Sequence, residues 1–329
     1  MKFRTPNLRL LTAAVALLLL PSAAASARQE AGRVTVPLSA ADREGRAVEG
    51  LKAEDLRVTV GGQPQNVLSL SRRADEPLHV VVMLDASTSQ ERVLPLTQGA
   101  SDLFVPALLA RGAANDVAVV AFTGEAKVLQ GPTADAALVR RAIASVEVER
   151  PPGYVGGGVV VGNQVPNDRT GSTAVWDGLV EVCDKVFSRA RAGRRVVLLV
   201  SDGVDTSSRI KLDKAVERLL GEGVAVYSVG VGDETEFEGV EAASLRKVSE
   251  RTGGRARFPK KSRDLPAAFE QVRRELLDSS YALALAAPPA PPDGKPPKLR
   301  VELVNPELRK RGVQLAYPQS LLAARAAAP

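Results

Sequence analysis

The feature that most limits what this chain can become is a set of strand-length apolar runs separated by helical segments. Leu78-His79-Val80-Val81-Val82-Met83-Leu84 ends in Asp85, and Val117 to Phe122, Val196 to Val200 and Val224 to Val229 repeat the pattern. A run that is apolar throughout, rather than at alternate positions, suits a strand buried on both faces. Between the runs, Val93–Arg111, Ala134–Val146, Ala174–Arg189, Leu212–Leu220, Val240–Arg251 and Leu265–Leu277 carry helical patterns, and Gly253-Gly254 stops one of them. Ala126 to Gln130 reads as a short edge strand. Strands alternating with helices predict an α/β fold, with a mostly parallel sheet covered by helices on both faces. Such sheets bind ligands beyond the carboxyl ends of their strands, where strand order reverses.

The flanks read differently. Val34 to Leu38 and Leu56 to Val60 alternate, turns fall at Ala41–Gly45 and Gly61-Gly62, and Asn66 to Ser71 follows. The tail alternates again at Tyr281–Leu285 and Lys298–Val304, across a proline-rich turn at Pro288–Pro297, with one more strand at Val313–Tyr317. Neither flank holds enough strands for a core. The economical expectation is that segments 28–74 and 281–318 pack together as a small β-domain, with the α/β unit at 78–278 between them. The glycine-rich segment Arg150 to Thr170 lacks phosphate-cradle spacings and reads as a surface loop.

Residues 1–27 read as a signal peptide rather than structure. Lys2, Arg4 and Arg9 precede the apolar stretch Leu10 to Leu20, and Ala25-Ser26-Ala27 offers a cleavage site before Arg28. That stretch falls short of the ~20 residues needed to span a bilayer. The expectation is an exported protein, periplasmic or secreted, with no membrane span.

Several chemistries are excluded. The net charge is +6, but the basic residues are scattered and aromatics make up only 4%, which disfavours nucleic acid. Cys183 is the only cysteine, so no intrachain disulfide and no cysteine-based zinc site can form. His79 is the only histidine, which leaves no partner for a serine or cysteine nucleophile. His79 reads as structural, Cys183 as a small buried helix residue, and Trp176 as helix packing.

The polar residues that remain interesting stand in three loops. Asp85-Ala86-Ser87-Thr88-Ser89 follows the first buried strand, Thr170-Gly171-Ser172-Thr173-Ala174 opens a helix, and Ser201-Asp202-Gly203 follows a later strand. With a spacing of two, Asp85, Ser87 and Ser89 can turn one carboxylate and two hydroxyls toward one point. Thr173 adds a hydroxyl and Asp202 a second carboxylate, directly or through water. These are all hard oxygen donors, which suit Mg²⁺, with Mn²⁺ or Ca²⁺ as substitutes. Two carboxylates neutralise the ion and leave a position that a partner's Asp or Glu can fill. Asp205 would contact loop backbone or lie outside the first layer of ligands. The alternative is that Asp85 and Asp202 merely cap helices.

Asp85-x-Ser87-x-Ser89, Thr173 and Asp202-Gly203, in this order, resemble the metal-ion-dependent adhesion site of von Willebrand factor A-type domains. The resemblance covers about residues 78–278 and implies a doubly wound, Rossmann-like sheet with one antiparallel edge strand. It also implies a non-enzymatic protein-binding module whose last helix, Leu265 to Leu277, can shift when a partner binds. The flanks resemble the exported bacterial VWFA-related subgroup through Asp42 to Leu51, Glu54 to Val58 and Gly62 to Gln65. Leu56 departs from that pattern where an aromatic is usual, and Gly61 where an acid is usual. Two other readings stand beside this one. A metal-dependent hydrolase would use Mg²⁺ to polarise a phosphoryl oxygen, but Ser87 replaces the second acid of an aspartyl-phosphate motif. A scaffold would leave the site unused.

Overall fold

The computed structural model describes residues 32–321, apart from 49, 112–113, 151, 157–158, 161–171, 191, 233–238 and 290–294. The segment 1–27 read as a signal peptide, most of the glycine-rich segment and the middle of the proline-rich turn therefore lie outside the described residues.

The central sheet is built from β5 (Leu78–Asp85), β6 (Asp116–Phe122), β7 (Ala126–Thr133), β10 (Arg194–Ser201), β11 (Val224–Gly230) and β12 (Ala256–Arg257). Its order is β12-β11-β10-β5-β6-β7, parallel except for β7, which runs antiparallel at the edge. The expected class is thus the observed one. Helices α1 (Leu94–Leu109), α2 (Ala136–Ala144) and α6 (Leu265–Asp278) cover one face, and α3 (Val175–Lys185), α4 (Leu212–Gly221) and α5 (Ala242–Thr252) cover the other. The strand chemistry explains this layering. Val80, Val82 and Leu84 of β5 enter the first apolar layer, while Val81 and Met83 enter the second. Both faces need apolar residues, hence the unbroken run.

Chain connections leave β5 toward β6 on one side and return to β10 on the other, so strand order reverses between β5 and β10. These two strands are in register from Arg194 opposite Leu78 to Val200 opposite Leu84. Their carboxyl ends, Asp85 and Ser201-Asp202, therefore emerge side by side at the switch point.

The flanks form two antiparallel sheets. The first has the order β15-β1-β13-β4, from Gln314–Ala316, Arg33–Ala41, Ser280–Ala286 and Val67–Arg72. The second has the order β14-β2-β3, from Leu299–Leu303, Leu56–Val60 and Gln63–Gln65. Strand β1 pairs with β13 from Arg33–Ala286 to Ser39–Ser280, which joins the two chain ends. Val36, Leu38, Val58, Leu283, Leu285 and Val301 fill one shared core between the sheets. Two further short strands, β8 (Tyr154–Gly156) and β9 (Val159–Val160), pair as a hairpin within the segment read as a loop. The five-residue helix α7 (Pro306–Lys310) also goes beyond the sequence reading.

The singular residues have structural surroundings. Cys183 is buried beside α4, and desolvation pushes its thiol up to about 12, which leaves it inert. Trp176 packs into the same layer. His79 is buried, with Nδ1 2.8 Å from Asp116 Oδ2.

Candidate metal centre

Asp85 ends β5 with its side chain buried at 2% exposure. Its two oxygens are held differently. Oδ1 accepts the Ser87 N–H at 3.0 Å, and Oδ2 accepts the Ser201 hydroxyl at 2.6 Å. The chain then bends into a single 3-10 turn, Thr88–Gln90. That turn brings the Ser87 and Ser89 hydroxyls within 3.0 Å of each other. Ser89 Oγ donates to Asp202 Oδ2 at 2.5 Å, closing the link between the first and third loops. Asp202 Oδ1 accepts the Val204 N–H at 2.9 Å. Gly203, which follows, has φ +79, and a Cβ there would lie 2.6 Å from Leu245 Cγ. The turn that presents Asp202 thus needs glycine both for its backbone angle and for its clearance.

Asp85, Ser87, Ser89 and Asp202 therefore form one hydrogen-bonded group. Thr173 is placed differently. Among the described residues it makes no hydrogen bond to the other four. Its N–H donates to Thr206 Oγ1 at 2.8 Å, and its carbonyl accepts from the Thr206 and Ser207 N–H groups. The next residue, Ala174, donates its N–H to the Thr123 carbonyl at the end of β6. Thr173 is buried at 6% exposure, between the end of β6 and the third loop.

Helix α3, next to Thr173, is capped from across the site. Asp205 Oδ1 accepts the Val175 N–H at 2.9 Å and the Ser208 hydroxyl at 2.5 Å. Ser208 Oγ in turn accepts the Trp176 N–H at 3.0 Å. Asp205 thus binds the first backbone N–H of the helix, not loop backbone, and it is Asp205, not Asp85 or Asp202, that caps this helix. Replacing Asp205 by Ala is expected to cost about 1–2 kcal/mol, the value of a helix cap. Urea unfolding measures it. A loss within ~0.3 kcal/mol of zero would assign the cap to Ser208 alone.

Two residues were not singled out from sequence. Ser201 braces Asp85, and its Oγ also accepts the Gly203 N–H at 2.9 Å. Gln90 Nε2 donates to Asp202 Oδ2 at 3.0 Å and to the Val231 carbonyl at 3.4 Å. Ser201 has a signal in the sequence: aligning the apolar run before it with the run before Asp85 places the two side by side. Gln90 has none short of the fold.

The electrostatics bear on occupancy. Burial, and then the nearby Asp202 charge, push the Asp85 carboxyl up to about 7. Burial also raises Asp202, against the hydrogen bonds from Ser89, Val204 and Gln90. Among the described residues no Lys or Arg forms an ion pair with either carboxylate. Two buried anions facing each other without a counter-ion are costly unless a cation joins them. Among the described residues no group of three His, Cys, Asp or Glu side chains is arranged to hold a metal. A cation here must therefore draw on hydroxyl oxygens as well. The donor set, two carboxylates and serine and threonine hydroxyls, fits a hard divalent ion.

Residues 162–271 match the family model of the von Willebrand factor type A domain. Solved structures of similar shape include proximal thread matrix protein 1 from the mussel byssus, with a zinc-occupied MIDAS motif. It is 19% identical over 65% of this chain and 49% of its own, with TM-score 0.48. A von Willebrand factor type A structure from Catenulispora acidiphila is 14% identical, covering 78% of this chain and 66% of its own, with TM-score 0.47. BatB from Bacteroides thetaiotaomicron is 15% identical, covering 60% of this chain and 98% of its own, with TM-score 0.44. The chain spans about half the length of the mussel protein. Comparison with curated protein sequences finds no match. With the family match spanning α3 to α6, a sheet of six strands with one antiparallel edge and helices on both faces, this chain carries a von Willebrand factor type A domain.

Proposed function

We propose that this protein is an exported, non-enzymatic binding module that holds a divalent cation, Mg²⁺ in the first instance, at Asp85, Ser87, Ser89, Thr173 and Asp202. The observation that carries the reading is the buried pair Asp85 and Asp202, joined through Ser89 and Ser87 and facing no described cation. A bound Mg²⁺ would supply an open coordination position for an Asp or Glu carboxylate of a protein partner. The chain's own residues do the rest. Ser201 and the Ser87 N–H fix the rotation of Asp85, and Gln90 fixes that of Asp202. The donors are thus set before the ion arrives.

Catalysis is disfavoured by placement. His79 lies at the opposite end of β5 from Asp85, on the order of 20 Å away at a strand rise of about 3.3 Å per residue, so no imidazole reaches the site as a base. Export rests on the leader-like residues 1–27. No helix among the described residues is long and apolar enough to cross a membrane.

Calorimetric titration tests the metal claim. The full chain should give saturable heat with Mg²⁺, and Mn²⁺ or Ca²⁺ should compete. Ser87→Ala should weaken binding by about tenfold, as for loss of one ligand (~1.4 kcal/mol). Absence of heat at millimolar Mg²⁺ sinks the metal reading. Partners captured from the exported fraction should be released by chelator; retention in chelator would favour a scaffold whose site is unused.

A further inference from the structure

A concavity adjoins the metal loops. It has a volume of about 410 Å³ and is lined by Val93, Val231, Val240, Phe258 and Leu265, among others, with Arg246, Lys260 and Lys261 at its edge. Its apolar floor is built: Val93, Val231 and Leu265 are buried at 4%, 5% and 2% exposure. Its wall depends on two glycines. A Cβ at Gly230 would lie 2.6 Å from the Phe258 ring, and one at Gly232 would lie 2.9 Å from Val240. Arg246 stacks on the Phe258 ring, with Cζ 4.6 Å from its centroid, which places a guanidinium against a lining residue. Lys260 and Lys261 are exposed. Among the described residues none of these three cations forms a salt bridge. An apolar pocket lined also by three cations is complementary to an apolar side chain flanked by acids.

Its position relates it to the metal centre. Gln90 Nε2 donates both to Asp202 Oδ2 and to the carbonyl of Val231, a lining residue. Pocket and carboxylate are thus one amide nitrogen apart. In an extended peptide, side chains two residues apart are separated by about 7 Å. One strand-like segment can therefore reach both places.

We propose that this pocket is a specificity subsite for the partner segment, which is an acidic peptide carrying an apolar residue two or three positions after its metal-binding Asp or Glu and further acids beyond it. The proposal rests on the metal-centre reading for the first contact but not for the second.

The test uses the full chain and fluorescein-labelled peptides read by anisotropy in Mg²⁺ and in EDTA. The peptide GDGFEEG carries both features, GDGSSSG only the metal-binding acid, and GSGFEEG the pocket residues without the acid two positions before Phe. In Mg²⁺ GDGFEEG should bind about tenfold tighter than GDGSSSG, as for added apolar and charge contacts. GSGFEEG should depend on Mg²⁺ far less than GDGFEEG does, because filling the pocket with Phe leaves no acid on the metal side. Lys260→Glu with Lys261→Glu, both at exposed positions, should remove the gain while leaving GDGSSSG unchanged. If GDGSSSG shows no Mg²⁺ dependence while GSGFEEG still binds and loses binding in the double variant, the metal reading falls and the subsite stands. If GDGFEEG is no tighter than GDGSSSG, or the gain survives charge reversal, the subsite is overturned.

Discussion

Asp85→Asn is expected to abolish Mg²⁺ binding while making the metal-free protein more stable at pH 8. The substitution keeps the shape of the side chain and an acceptor for the Ser87 N–H, but it removes a buried charge that faces Asp202. Affinity should fall by more than about 100-fold, because the ion loses a carboxylate and the neutrality of its site. The stability gain follows from proton linkage. A carboxyl raised in the folded state from 3.8 to about 7 contributes stability that is full below pH 3.8 and lost as pH rises through about 7. At pH 8 the metal-free wild type therefore carries the whole penalty. At pH 5 its Asp85 is protonated and resembles Asn. The thermal midpoint of Asp85→Asn should exceed that of the wild type on the order of 5 °C at pH 8, with little gap at pH 5. Saturating Mg²⁺ should raise the wild type alone, by mass action. Scanning fluorimetry across pH, in EDTA and in Mg²⁺, reads all these values. A variant less stable than wild type at pH 8 in EDTA would show that Asp85 is an ordinary structural acid.

The separation between legible and illegible features follows contact range. β5, β6, β10 and β11 were legible because burial on both faces writes itself into consecutive residues. The small strand Gln63–Gln65 was not, since a polar triplet containing Pro64 carries no apolar period; it exists as an edge strand, where proline is tolerated. Helix α7 was missed because five residues are too few for a periodic signal. Its start was nevertheless written locally, with Asn305 accepting the Glu307 and Leu308 N–H groups and Pro306 in the first turn. Edge strand β7 runs on to Thr133, past Gly131-Pro132, with irregular pairing that alternation cannot anticipate. In the candidate site, Asp85 and Asp202 stood out because each ends an apolar run. Ser201 is reachable only by aligning the two apolar runs, while Gln90 and the capping role of Asp205 depend on contacts across 30 residues or more, which periodicity does not encode.

Glu275→Ala is expected to destabilise the chain strongly, with a loss of about 3–5 kcal/mol from breaking a buried ion pair. Glu275 lies on α6 with no exposed surface. Arg255 Nε donates to its Oε2 at 3.0 Å, and Arg257 Nη2 donates to its Oε1. Those guanidiniums are only 11% and 16% exposed, so removing the carboxylate strands two charges that water cannot easily reach. Arg255 also donates to the Gln314 side chain and carbonyl at 2.8 and 2.7 Å, which ties α6 and β12 to β15 of the flanking sheet. The same helix runs into β13, an internal strand of that sheet, after the single residue Ser279. Glu275 therefore sits where the central domain and the flanking sheet share their load. Glu275→Gln, which keeps acceptor and shape without charge, should recover part of the loss. Because Glu275 is on α6 far along the chain from Leu265, the end that lines the pocket beside the metal loops, Mg²⁺ affinity should change by less than about twofold (~0.4 kcal/mol). Urea unfolding and calorimetry on the same samples separate the two effects. A loss under ~1 kcal/mol would show that the triad is no better than a solvated pair. A loss of metal affinity matching the loss of stability would show instead that α6 holds the metal loops in place.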